Sequence, residues 1–118
     1  MTWSGLDQRN FPRIVARCDV AIHDRIGGTI KTKTQNLGLG GVCVILTRDL
    51  EKLSQVRLRI TLEESEPPLE CDGRVVWMVR SKEPATKKVS YDTGIEFLSL
   101  NQQDRDRISN FTKNRKTL

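Results

Sequence analysis

The chain has 118 residues, of which 30% are charged and 36% hydrophobic, and its 20 Lys and Arg against 15 Asp and Glu give a formal net charge of +5. This length corresponds to one domain with a single core, since chains of this size bury roughly two thirds of their unfolded surface. No apolar run approaches the roughly 18 residues of a membrane span, and the N-terminus lacks the apolar segment of a signal peptide. We therefore expect a cytoplasmic protein without membrane insertion.

The positive net charge favours anionic partners but does not select one class of them. General nucleic-acid binding would require a denser basic stripe interleaved with aromatic side chains, and the aromatic residues here are few and dispersed. We therefore expect neither DNA nor RNA as a partner. A small phosphate ligand and an acidic protein surface both remain open.

Alternating apolar residues predict a first strand over 14–22, because a period of two is typical of a half-buried strand. A turn at 24–28 joins it to a more polar strand at 29–35 as a hairpin. Four further strands are predicted at 42–46, 56–62, 69–80 and 89–98. Six short antiparallel strands favour a small closed barrel, since closure removes exposed strand edges.

The C-terminal segment 101–111 is the part of the chain with a helical pattern. Asn101 is a plausible N-cap, Asp104 lies in the first turn, and Ile108 and Phe111 share one face. Because this helix is too polar to be stable alone, we expect its apolar face to dock on the sheet. The predicted fold is an all-β, six-stranded antiparallel barrel with a closing C-terminal helix.

We predict three regions along the chain. Residues 1–13 form a flexible N-terminal arm, because this segment contains proline and precedes the first strand. The barrel and its helix occupy 14–113, and a short tail follows at 114–118.

The residue types that catalysis or metal binding would need are few. His23 is the one histidine, and Cys18, Cys43 and Cys71 are scattered through apolar runs without a CxxC spacing. We expect buried thiols, and the sequence has no GxSxG or P-loop pattern. An enzyme is therefore not predicted, and no catalytic residue, metal ligand or cofactor is assigned.

Arg9 and Arg13 lie four residues apart in the segment DQRNFPR, before the first strand. A guanidinium can pair with a phosphate, grip the O6 and N7 edge of guanine, or stack on a base. Seen alone, the two arginines could equally be solvated side chains of a terminal segment.

The segment NLGLGG at 36–41 contains three glycines. Such a segment lets backbone N–H groups approach an anion or a base closely, because no Cβ intervenes. Asn36 adds a short amide that both donates and accepts hydrogen bonds. The alternative is a tight strand connection without a ligand.

Together, the two motifs resemble the signature of the PilZ domain family, RxxxR followed by [DN]xSxxG. The segments GRVVWMVR at 73–80 and GIEFLSLNQQDRDRISNF at 94–111 are similar to later parts of that family, so the resemblance covers 8–112. It implies a bacterial β-barrel that binds the second messenger cyclic di-GMP.

By this resemblance the ligand-binding residues are Arg9, Arg13, Asn36, Gly38, Gly41 and Trp77. The arginines would engage guanine and phosphate, and Trp77 would pack on a guanine ring. Strict alternation, however, puts Trp77 on the same strand face as Val75 and Val79, where core packing is the alternative. Gly38 stands where the family has serine, and the lost hydroxyl would weaken binding about tenfold.

The sequence therefore predicts a receptor whose mobile arm folds over cyclic di-GMP and which signals to an unidentified downstream protein effector. The alternative is a degenerate PilZ-like barrel that binds no nucleotide and acts as a protein-interaction module. The departure at Gly38 favours that alternative, whereas Arg9, Arg13, Asn36 and Gly41 favour ligand binding.

Overall fold

The computed structural model describes residues 13–113. This part of the chain contains seven β-strands and a C-terminal helix: β1 (Arg13–Val15), β2 (Asp19–His23), β3 (Thr29–Gly38), β4 (Gly41–Leu46), β5 (Gln55–Thr61), β6 (Leu69–Lys82), β7 (Val89–Phe97) and α1 (Gln102–Lys113). Arg9, most of the predicted arm and the predicted tail lie outside the described residues.

Antiparallel strand pairing closes the sheet into a barrel. Around the barrel, β2 pairs with β5, β5 with β6, β6 with β7 and β7 with β4, while β3 pairs with both β4 and β2. β1 pairs with the far end of β3 on the same side as β2, so β1 and β2 act as one bent strand. The prediction of a six-stranded antiparallel barrel is confirmed.

The prediction of one continuous strand over 14–22 is wrong at 16–18, where a bend interrupts the strand. The Ala16 N–H and the Cys18 carbonyl keep backbone hydrogen bonds to Gln35 and Thr34 of β3. The hydroxyl of Thr34, which is fully buried, accepts a hydrogen bond from the Cys18 N–H at 2.9 Å and donates to the carbonyl of Ala16. A side chain thus replaces the backbone partners that the bend removes. The apolar alternation nevertheless continues through the bend, and the buried residues are Ile14, Ala16, Cys18, Val20 and Ile22.

The helix α1 closes one end of the barrel. The side-chain oxygen of Asn101 accepts a hydrogen bond from the Asp104 N–H at 2.8 Å, which confirms the predicted N-cap. Ile108 is 0% and Phe111 8% exposed, so the apolar face of the helix docks on the core as expected. Among the described residues no helix is long and apolar enough to span a membrane.

Two β-bulges interrupt the alternation of side chains in the barrel wall. In β3, Thr34 pairs with Val44 whereas Asn36 pairs with Cys43, so Gln35 is the extra residue. A bulge carries two residues against one, so the strand's inner and outer faces exchange beyond it. Successive inner-face residues of β3 are therefore three positions apart across the bulge instead of two.

The second bulge overturns the predicted faces of β6. Val75 pairs with Ile95 and Trp77 with Gly94, so Val76 is the extra residue. Val75 is fully buried, Met78 packs against the core, and Trp77 between them belongs to the outer face. The expectation that Trp77 shares a face with Val75 is therefore wrong, because strict alternation does not hold across the bulge.

Candidate functional site

A row of residues crosses five strands on the outer face of the barrel. Pairing runs from β1 to β3, β4, β7 and β6, and in this order the row consists of Val15, Asn36, Cys43, Gly94 and Trp77. We call it the Asn36 row. Since neighbouring strands lie about 4.8 Å apart, the three steps from Asn36 to Trp77 span about 14 Å along the wall. The two bulges bring these polar and aromatic side chains into one row.

A second row lies beside the first, at the barrel rim where β3 turns into β4. Across the same five strands it consists of Arg13, Gly38, Gly41, Glu96 and Arg74, and we call it the Arg13 row. Gly38 and Gly41 flank the two-residue turn between their strands. The N–H of Phe97 donates a hydrogen bond to the carbonyl of Gly40 at 2.9 Å, which ties this turn to β7.

Both rows face outward, because the neighbours of their members along each strand point into the core. These inner neighbours are at most 1% exposed and are Ile14, Leu37, Val42, Ile95 and Val75. The structure thus brings together five of the predicted site residues, namely Arg13, Asn36, Gly38, Gly41 and Trp77. The sixth, Arg9, lies outside the described residues. That these residues bind a ligand stays a prediction.

Between Arg13 at one end and Trp77 at the other, the outer surface is nearly bare backbone. Gly38 and Gly41 contribute no side chain in the Arg13 row, and Gly94 contributes none in the Asn36 row. The indole of Trp77 lies over Gly94, where an added Cβ would sit 2.7 Å from Cδ1 and closer still to Nε1 and Cε2. A glycine inside a strand often marks such a close approach. Trp77 therefore lies flat along the wall instead of standing away from it.

Asn36 presents a polar group within this surface. Its side-chain oxygen Oδ1 is buried and accepts no hydrogen bond from any residue of the described range 13–113. A buried acceptor without a partner costs about 1–3 kcal/mol, and a ligand donor would recover part of that cost. This position is therefore suited to an N–H or O–H group of a ligand.

Arg13 begins β1, so the strand starts at the last residue of the predicted arm. The residue is 6% exposed, and burial lowers the pKa of its guanidinium. Burial raises the pKa of the neighbouring Cys43 thiol to about 11, although the charge of Arg13 opposes that shift. Cys43 stays a neutral thiol and therefore does not compensate the charge of Arg13. A phosphate at this end of the surface would gain Coulomb energy from the guanidinium and would favour the charged form of Arg13.

Other predicted features have plain structural roles. Cys18, Cys43 and Cys71 are buried, as expected. His23 ends β2, and its Nδ1 lies 2.9 Å from the Thr29 hydroxyl at the surface. Within residues 13–113 no group of three His, Cys, Asp or Glu side chains could hold a metal ion.

This surface also includes four residues that were not predicted from the sequence as its members, namely Cys43, Gly94, Glu96 and Arg74. Arg74 Nη1 lies 3.8 Å from Glu96 Oε1, so the two form an ion pair at the end of the Arg13 row. A signal for Gly94 was available, since a glycine in the interior of a strand indicates a close contact. The positions of the other three depend on cross-strand register, which the sequence does not state.

A search of curated proteins found no match. Among solved structures, the Bacillus subtilis inhibitor of motility MotI/DgrA matches with a TM-score of 0.71 and 22% identity, over 90% of this chain and 49% of that one. The PilZ domain of Escherichia coli YcgR with c-di-GMP matches with a TM-score of 0.69 and 14% identity, over 87% of both chains.

The complex of K. pneumonia MrkH with c-di-GMP matches with a TM-score of 0.72 and 16% identity, over 92% of this chain and 52% of that one. The chain thus spans about half the length of MotI/DgrA and of MrkH. At these identities the likenesses show the fold. The family model of the PilZ domain matches residues 7–114, nearly the whole sequence. The chain therefore belongs to the PilZ domain family.

Proposed function

We propose that the chain is a cyclic di-GMP receptor that binds the nucleotide on the outer surface formed by the Asn36 row and the Arg13 row. The observation that carries the proposal is the arrangement of those rows. A guanidinium lies at one end, an indole lies flat at the other, and three glycines separate them. Cyclic di-GMP combines two phosphates with two guanines, so it can use the cationic and the aromatic end together.

The phosphates would lie towards Arg13. Its guanidinium is planar and can donate two parallel hydrogen bonds to a phosphate, and its low exposure weakens competition from water. Arg9 would close over the same ligand from the segment that precedes β1. Binding would then order part of the arm, at a cost of about 2–5 kcal/mol for a coupled folding event, which the new contacts must exceed.

One guanine would stack on Trp77. Base stacking on an aromatic side chain contributes about 1–3 kcal/mol per base, and the indole is already held against the wall by Gly94. Asn36 would hydrogen-bond a ligand donor through Oδ1, which is buried and accepts no hydrogen bond from the described residues. Gly41 would allow the ligand to approach the backbone.

Gly38 removes the hydroxyl that the family signature carries. It pairs with Arg13 across β1 and β3, so the missing group would have stood beside the proposed phosphate position. The loss corresponds to about tenfold in affinity, which weakens binding without abolishing it. The same departure favours the second candidate, a PilZ barrel that binds no nucleotide and acts as a protein-interaction module.

We further propose that the receptor is a cytoplasmic bacterial protein that signals to a downstream protein effector rather than catalysing a reaction. Two of the similar structures contain cyclic di-GMP, namely the YcgR PilZ domain and MrkH, and a third is described as an inhibitor of motility. A ligand-ordered arm would alter the surface beside the two rows. The effector would contact that altered surface.

Calorimetric titration with cyclic di-GMP tests the proposal. We expect Arg13→Ala to weaken binding about 10- to 100-fold, because a hydrogen bond to a charged group contributes about 1.5–3 kcal/mol. Arg59→Ala is the matched control, since this substitution removes the same charge from an exposed position on β5, away from both rows. Equal loss in the two variants would indicate a general charge effect and would contradict the site.

An amide chemical-shift titration tests the location of the ligand and the role of Arg9. Shifts should concentrate in the two rows and in the segment before Arg13, and Arg9→Ala should reduce the shifts in that segment. Absence of both heat and shifts at high micromolar cyclic di-GMP would reject the receptor and favour the interaction module.

A further inference from the structure

We propose that Glu96 reads the Watson–Crick edge of the guanine that stacks on Trp77, and so makes the site selective for guanine over other purines. This inference rests on the proposed function, because it assigns a new residue to the same ligand surface. Neither signature motif includes Glu96.

The position of Glu96 follows from the register of β7. It lies two residues beyond Gly94 on the same outer face, so their Cα atoms are about 6.8 Å apart. The indole of Trp77 covers Gly94, and the partner of Glu96 on β4 is Gly41, which has no side chain. The Glu96 carboxylate therefore borders the bare backbone beside the indole, within side-chain reach of the edge of a base stacked there.

The chemistry of a carboxylate matches guanine. Its two oxygens accept hydrogen bonds in parallel, and the Watson–Crick edge of guanine presents two adjacent donors, N1–H and the 2-amino group. Adenine presents an acceptor at N1, so the carboxylate would face a lone pair. Recognition of a displaced base through this edge, with stacking on an aromatic side chain, is a recurrent mode.

Arg74 explains how a carboxylate can border a site for an anionic ligand. Its guanidinium lies 3.8 Å from Glu96 Oε1, which offsets the repulsion between Glu96 and the phosphates. At 3.8 Å the pair is beyond hydrogen-bond distance, so the oxygen lone pairs are available to a ligand. The Glu96 side chain is 28% exposed, which leaves it accessible from solvent.

The test compares the unmodified protein with Glu96→Gln by calorimetry, using cyclic di-GMP and cyclic di-IMP, the hypoxanthine analogue that lacks the 2-amino group. The unmodified protein should bind cyclic di-GMP about tenfold more tightly than cyclic di-IMP, because one hydrogen bond to a charged acceptor is lost. In Glu96→Gln the affinity for cyclic di-GMP should fall about tenfold or more, and the ratio between the two ligands should approach one.

Asp92→Asn is the matched control. Asp92 lies four residues from Glu96 on the outer face of β7, between Ile45 and Val79, and carries the same charge. If Glu96 acted only as a negative charge, both substitutions would tighten binding of the anionic ligand. The proposal requires the opposite sign for Glu96→Gln and a small effect for Asp92→Asn. Equal melting temperatures without ligand exclude a folding defect.

The outcomes distinguish a failure of the proposed function from a failure of the assignment of Glu96. If the unmodified protein takes up no cyclic di-GMP, the proposed function fails and the assignment of Glu96 fails with it. If the unmodified protein binds, but Glu96→Gln binds as tightly or more tightly with the same preference over cyclic di-IMP, the assignment of Glu96 alone is overturned.

Discussion

The contact between Trp77 and Gly94 allows a specific prediction for the substitution Gly94→Ala. The added Cβ would lie 2.7 Å from Cδ1 of the indole and closer to Nε1 and Cε2, whereas real Cβ contacts are essentially never below 3.0 Å. Since the methyl group is fixed to the strand backbone, the indole must move away from the wall. The substitution therefore perturbs Trp77 without changing its chemistry.

Two effects of opposite sign set the change in stability. Forcing a methyl group into a packed contact costs about 1–3 kcal/mol, while replacing glycine by alanine in the unfolded chain gains about 0.4–1 kcal/mol. The free energy of unfolding should therefore fall by about 0–2.6 kcal/mol. In a Trp77→Ala background the contact is absent, so the same substitution should be neutral or stabilising.

A double-mutant cycle by urea unfolding, followed by circular dichroism, measures this dependence. We expect a coupling energy of about 1–3 kcal/mol between the two positions, as for residues in direct contact. Calorimetry should show weaker cyclic di-GMP binding in Gly94→Ala and Trp77→Ala, and a double variant no weaker than Trp77→Ala. Additive changes in stability would refute the packing of the indole on Gly94 and remove the platform from the proposed site.

Three further predictions concern separate parts of the molecule. Gly38→Ser should tighten cyclic di-GMP binding by up to about tenfold in calorimetry, and unchanged affinity would mean that the hydroxyl is dispensable here. Thr34→Val should lower the free energy of unfolding by about 1–3 kcal/mol in urea, because its hydroxyl bonds two backbone groups in the bend. Thr32→Val, which loses one 3.5 Å contact, is the control and should change little. Burial raises the pKa of Cys43 to about 11 and of Cys71 to about 12. The pKa of a thiol in the unfolded chain is about 8.5, so below that pH the buried neutral thiols cost no stability. As the pH rises above it towards the pKa values of the folded thiols, deprotonation favours the unfolded chain and the free energy of unfolding falls. Urea unfolding at about pH 8 and pH 10.5 should show the decline, and a Cys43→Ala variant with an equally steep decline would contradict this cause.

The strand and helix pattern could be predicted from the sequence because it depends on local periodicity. The turn at 24–28, the four later strands and the capped helix at Asn101 match the structure to within a few residues. Burial of Ile108 and Phe111 followed from their spacing on one helical face. Each of these inferences needs only neighbours along the chain.

The two bulges could not be derived in the same way. A bulge adds one residue to a strand, and its effect is visible only against the partner strand. The segment Val75–Val76–Trp77–Met78 is apolar throughout, so its composition does not say which side chain leaves the core. Strict alternation therefore assigned Trp77 to the wrong face.

The sequence by itself determined the barrel, its closing helix and the two signature motifs, because periodic burial and short motifs are encoded in consecutive residues. The tertiary structure decided which side chains share a surface. Arg13, Asn36 and Trp77 come from three strands that are separated along the sequence, and Glu96 joins them from a fourth. Cross-strand register brings them together, and register is fixed by the packing of the whole barrel rather than by any one segment.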